Sequence, residues 1–142
     1  MELVAETALI IPNILRVQLS FRVRRSMNII ETQELKQLIE SKEAYVLIDI
    51  RYEPELSYGM IPTAHHIPLP EIGEALQLSS SAFTKKYGFS VDKKVKLIFY
   101  CRTGSRSQQA TQIALQLGYN ASNYKGSIKE WSKHDPHVQM YS

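Results

Sequence analysis

Val95-Lys96-Leu97-Ile98-Phe99-Tyr100-Cys101-Arg102-Thr103-Gly104-Ser105-Arg106-Ser107 carries an apolar run into a glycine turn and out again into a polar segment. Residues 95–100 are expected to form a buried strand, because the run is short, rich in β-formers and bounded by turn residues. Beyond the turn, Ala110, Ile113, Ala114 and Leu117 recur at i, i+3, i+4 and i+7, which predicts an amphipathic helix with Gly118 at its C-terminal cap. A second buried strand is expected at residues 45–48. Upstream of it lies a brief strand at 28–30, then a helix N-capped by Thr32 with Leu35, Leu38 and Ile39 on one face. Between the two main strands, Pro54, Gly59, Pro62, Pro68 and Pro70 mark a loop-rich stretch with a short strand at 65–67, followed by short helices at 71–78 and 82–87, the second closed by Gly88. Short apolar runs alternating with helical segments predict an α/β domain with a central, mainly parallel sheet flanked by helices.

The chain has 142 residues, 44% of them hydrophobic and 22% charged, enough for one domain with one core. No apolar run approaches the roughly 18 residues that a membrane span needs. Cys101 is the one cysteine, which excludes an internal disulfide and any zinc site built from several thiolates. The net charge is +3, yet residues 1–30 hold four arginines against two glutamates, leaving 13 basic and 12 acidic side chains for the rest. A nucleic-acid binder needs a basic stripe on its folded part, and this nearly neutral body has none.

Residues 1–27 read as an N-terminal extension to a domain covering 28–142. Leu15, Val17, Leu19, Phe21 and Val23 alternate with polar residues, among them Arg16, Arg22 and Arg24. The arginines and serines suit a mitochondrial presequence. Glu2, Glu6 and the period of two suit a disordered tail or an extra edge strand instead, and a cytoplasmic location.

The expected chemistry centres on Cys101. In open parallel sheets ligands bind outside the carboxyl ends of the strands, and the two main strands run into Asp49 and Cys101. The turn sets the sulfur at the mouth of a helix whose first amides have no partners within the helix, and Gly104 lets the loop curl into an anion-binding nest. Arg102 and Arg106 add positive charge, and no carboxylate occurs between Phe99 and Gly118. These conditions favour the thiolate. The alternative is a small buried hydrophobe, the commonest state of a lone cysteine.

The loop Cys101-Arg102-Thr103-Gly104-Ser105-Arg106-Ser107 resembles the active-site loop of single-domain rhodaneses, and the likeness extends over residues 28–131. Leu47-Ile48-Asp49-Ile50-Arg51 is similar to the family's Asp-Val-Arg segment, and Ile61-Pro62, Ala64 and Ile67-Pro68 to its Gly-His-Ile-Pro-Gly-Ala-x-Asn-Ile-Pro segment. Leu117-Gly118-Tyr119, then Asn123-Tyr124-Lys125-Gly126-Ser127 and Glu130-Trp131, resemble its closing motifs. Residues 72–78 with Phe83 and Tyr87 further resemble the small eukaryotic thiosulfate sulfurtransferase/rhodanese-like domain-containing proteins. The sequence departs from the family at four places: Met60 stands for His, Thr63 for Gly, His66 for Asn and Ser127 for the second Gly.

The resemblance implies a rhodanese-like three-layer fold and sulfur transfer from thiosulfate or a persulfide donor, through a Cys101 persulfide, to a thiol such as glutathione, or to cyanide. Arg102, Thr103, Gly104, Ser105 and Arg106 are the expected substrate-binding residues, with backbone amides of 102–106 holding the outer sulfur. Arg106 either contacts the donor or locks the loop through a carboxylate. No metal or organic cofactor is required. Phosphatases of related fold place Arg six residues after the Cys, where this chain has Ser107, so the spacing disfavours phosphatase chemistry. A second reading is a relay module that carries persulfide to a protein acceptor without turnover. Around the loop, Asp49 and Arg51 are expected as a supporting pair, with Asp49 as general base the alternative; Trp131 either walls the pocket or belongs to the core. His134 and His137 lie in a polar tail and read as solvated rather than as metal ligands.

Overall fold

The computed structural model describes residues 28–141, so the expectations for 1–27 lie outside the described residues. Five strands form one sheet: β1 (Ile29–Ile30), β2 (Tyr45–Asp49), β3 (His65–His66), β4 (Lys96–Tyr100) and β5 (Ala121–Tyr124). Their order is β1-β5-β4-β2-β3, and every pairing is parallel. The helices are α1 (Thr32–Glu40), α2 (Leu69–Ala75), α3 (Ser80–Tyr87), α4 (Ser105–Gln116) and α5 (Ser127–Trp131), with a 3-10 helix at Glu53–Tyr58.

Strand alternation builds the three layers. In the register Leu47↔Ile98 and Ile48↔Phe99, neighbouring residues point to opposite faces. Ile48, Leu97 and Phe99 pack with Ile72 of α2, Phe83 of α3 and Ala110 and Ala114 of α4. Leu47, Ile98 and Tyr100 pack on the other face with Leu35 of α1 and Ile128 and Trp131 of α5. Both faces are therefore covered, as a parallel sheet requires.

Several local expectations need correction. Glu31, not Thr32, is the N-cap of α1; the Thr32 hydroxyl instead bonds Tyr124 Oη at 2.7 Å. Helix α2 begins at Leu69 and ends at Ala75, earlier at both ends than expected, because Pro70 sits in the first turn, where its missing N–H costs nothing. Helix α3 begins at Ser80, with the Ser79 side chain accepting a bond from the Ala82 N–H at 3.2 Å. The 3-10 helix, β5 and α5 were not expected as elements.

Among the described residues, two other than glycine have positive φ, Thr63 at 74° and Ser127 at 53°. These are two of the four departures from the family pattern, and at both the family has glycine. Glycine visits this region without steric cost, whereas a β-branched Thr is strained there.

Candidate active site

Strand β4 delivers Cys101 to the carboxyl edge of the sheet, and the turn reverses through Gly104 at φ 101° into α4. Glycine is demanded twice over at this position. Its φ is left-handed, and a Cβ would fall 2.4 Å from the Lys125 carbonyl oxygen. The loop is thus seated directly on the residue that follows β5.

Cys101 is 1% exposed. Its Sγ accepts a bond from the Gly104 N–H at 3.0 Å and lies 3.4 Å from Ser107 Oγ. Burial pushes the thiol up, but the Ser107 hydroxyl and the N–H groups of Ser107, Gly104 and Thr103 outweigh it, and the net displacement is downward. Neutral donors head the groups that lower it, among them the loop amides expected from the sequence, and the Arg106 guanidinium interacts favourably with the same sulfur. Ser107, at the position where a phosphatase would carry Arg, is fully buried and donates to the Gly104 carbonyl at 3.2 Å.

Arg106 is engaged elsewhere. Its Nη1 and Nη2 meet Glu55 Oε1 and Oε2 at 2.7 and 2.8 Å, which ties the loop to the 3-10 helix. Of the two expected roles, the geometry is that of the loop lock. Arg102 donates to the Tyr141 carbonyl and lies 4.7 Å from that ring's centroid, while its Nε is buried without a partner. Thr103 and Ser105 are exposed.

Beneath the loop, Arg51 and Asp49 form a completely buried ion pair. Arg51 Nη2 donates to Asp49 Oδ2 at 2.7 Å and Nε to Oδ1 at 3.0 Å. The remaining donors reach the carbonyls of Gly59 and Glu55 at 2.8 and 3.3 Å. This pairing uses the Asp49 oxygens and places the carboxylate in a support for the 3-10 helix. Trp131 packs in the core beside Tyr124 and donates to Asp135 Oδ2 at 2.9 Å. His134 and His137 are exposed.

Sequence reading missed three contributors. Glu55 carries the lock on Arg106; its carboxyl is held down to about 2, first by the Arg106 guanidinium and then by the Tyr141 hydroxyl, against the opposing effect of burial. Tyr141 donates to Glu55, stacks on Tyr58 at 4.7 Å and lies over Arg102, so the C-terminal stretch returns to the loop. Ser127 Oγ accepts the Cys101 N–H at 3.1 Å and donates to the Tyr124 carbonyl at 2.8 Å. Only Ser127 had a signal in the sequence, as a departure from a glycine pattern.

The sequence profile of the Rhodanese-like domain family matches residues 31–134. A Schizosaccharomyces pombe protein, provisionally named a mitochondrial thiosulfate sulfurtransferase, is 46% identical over 91 residues, covering 61% of this chain and 63% of its own length. The chain thus spans slightly less than two thirds of that relative. Human thiosulfate:glutathione sulfurtransferase is 42% identical over 101 residues, covering 69% of this chain and 87% of its own. Among solved structures, the human single-domain sulfurtransferase TSTD1 superposes with a TM-score of 0.72 at 37% identity, covering 76% of this chain and 97% of that one. No helix among the described residues is long and apolar enough to cross a membrane.

Proposed function

The chain belongs to the rhodanese-like family, and from that premise we propose that it is a sulfurtransferase acting through a persulfide on Cys101. The observation that carries the reading is the seat of Cys101 Sγ, at 3.0 Å from the Gly104 N–H and 3.4 Å from Ser107 Oγ. An ionised sulfur is stabilised there by the fixed Gly104 N–H and by the Ser107 hydroxyl once it turns from the Gly104 carbonyl to the sulfur, and the same donors suit an outer persulfide sulfur as it gains negative charge.

The chemistry balances with thiosulfate as donor. The Cys101 thiolate attacks the sulfane sulfur, the S–S bond of thiosulfate breaks, and sulfite leaves with the electron pair. Cys101 is left as a persulfide anion. A glutathione thiolate then attacks the outer sulfur, giving glutathione persulfide and regenerating the Cys101 thiolate. With one cysteine in the chain, discharge falls to an external thiol. The unpartnered Nε–H of Arg102 supports this residue as the group that meets the anionic donor. The names of the S. pombe and human relatives support thiosulfate and glutathione as the small-molecule pair, and the former supports a mitochondrial location.

Sulfite release measured with thiosulfate plus glutathione tests the proposal. Many sulfite molecules per chain are expected, with none from Cys101→Ser. Release that stops at one per chain would contradict turnover and identify a relay module.

A further inference from the structure

Beside the catalytic loop lies a cavity of about 500 Å³ between α4 and the β5–β1 edge, and neither Cys101 nor Arg102 lines it. We propose that this cavity is a second binding site, for a small amino-acid- or peptide-class ligand bearing an N–H donor and one carboxylate.

Its volume falls within the range of small-molecule sites. Asn123, one of the lining residues, is 4% exposed, and its Oδ1 has no hydrogen-bond partner among the described residues. The orientation of this amide is fixed, because Nδ2 donates to the Gly104 carbonyl at 3.2 Å; turning it over would set two carbonyl oxygens against each other. The unpaired atom is therefore an acceptor, and a buried acceptor without a donor is costly. What fills the cavity must bring a hydrogen-bond donor, and an amide N–H is the donor that pairs best with a carboxamide oxygen.

The walls define the rest of the ligand. Among the described residues, Lys125 is the one charged side chain lining the cavity, which calls for a single anionic group. Gln108 and Gln112 stand one turn apart on α4, facing Asn28. Carboxamides offer a donor and an acceptor together, the complement of a peptide amide. Ile29 and Leu115 also line it and are 37% and 36% exposed, a place for a short aliphatic group. The site adjoins the reaction centre through two bonds: Asn123 holds the Gly104 carbonyl, and the Gly104 N–H holds Cys101 Sγ. Ligand binding in the cavity is independent of persulfide formation on Cys101.

N-Acetyl-L-leucine, which has no thiol and supplies one amide N–H, one carboxylate and an aliphatic group, is the probe. Titrated into the full chain and followed by 15N NMR, it is expected to shift the side-chain amide signals of Asn123, Gln108 and Gln112 saturably. N-Acetyl-L-leucinamide, without the carboxylate, and 4-methylpentanoate, without the N–H, should each bind at least about tenfold more weakly, the loss of one good polar contact. Lys125→Met and Gln112→Leu should weaken the probe to a similar degree while sulfite turnover stays unchanged. Absence of saturable shifts, with Asn123 Oδ1 satisfied by water alone, overturns the proposal; so does equal binding of 4-methylpentanoate, which would mark a simple anion site.

Discussion

Arg106 and Glu55 grip each other at two points, 2.7 and 2.8 Å, and so fasten the loop that carries Cys101 to the 3-10 helix at Glu53–Tyr58. The arginine nearest the helix mouth thus directs both terminal nitrogens at Glu55. Its charge is neutralised within the site, which leaves Arg102 as the loop guanidinium without a carboxylate partner. The consequences of this pair can be measured.

Glu55→Gln is expected to destabilise the protein by about 1–3 kcal/mol at neutral pH, the range for a well-formed, partly buried two-point pair. The pH dependence has a definite sign. The carboxyl is lowered from 4.5 to about 2 in the folded protein, so its contribution is full above the unfolded value and is lost as pH falls towards 2. Denaturant titrations should show a gap between wild type and Glu55→Gln that is constant above pH 5 and closes on acidification. A gap independent of pH would mean that the pair contributes nothing electrostatic.

Ser107→Ala tests the hydroxyl that stands first among the groups lowering the Cys101 thiol. The pH midpoint of iodoacetamide alkylation should move upward in this variant, with a lower rate at neutral pH. An unchanged midpoint would show that the backbone amides suffice.

Ser127 combines a strained backbone with a useful side chain, and two substitutions separate them. Both Ser127→Ala and Ser127→Gly leave the buried Cys101 N–H without its acceptor, at a cost of about 1–3 kcal/mol. Only Gly relieves the left-handed φ of 53°, a strain of roughly 1–2 kcal/mol offset in part by the added freedom of the unfolded chain. Ser127→Gly should therefore melt above Ser127→Ala. The reverse order would mean that the backbone there is unstrained.

Asp49→Asn should destabilise by about 3–5 kcal/mol, because it strands the Arg51 charge in a fully buried place. Whatever folds should retain the wild-type pH midpoint for Cys101 alkylation. A stable variant with a displaced midpoint would instead assign Asp49 a role in proton transfer.

Four of the five strands were legible in the sequence; β5, which lies inside the sheet between β1 and β4, was not. Strands β2 and β4 are continuous apolar runs buried on both faces, the pattern that a parallel sheet imposes. Strand β5 escaped because it reads Ala-Ser-Asn-Tyr and is buried nonetheless; Asn123 belongs there through a bond to the loop carbonyl of Gly104, a partner that no local pattern announces. The 3-10 helix escaped because Pro54 reads as a breaker, although in a first turn it is tolerated. Within the site, the position of Cys101 between strand and helix followed from adjacent residues. Glu55 and Tyr141 did not, since they lie 51 residues before Arg106 and 39 after Arg102, and the bonds they make exist only once the sheet has brought the segments together.

The central claim is that Cys101 carries sulfur as a covalent intermediate. Intact-mass measurement after incubation with thiosulfate tests it most directly. A gain of one sulfur atom per chain is predicted, located on Cys101, absent from Cys101→Ser and removed by glutathione. An unchanged mass in the presence of excess thiosulfate would contradict it.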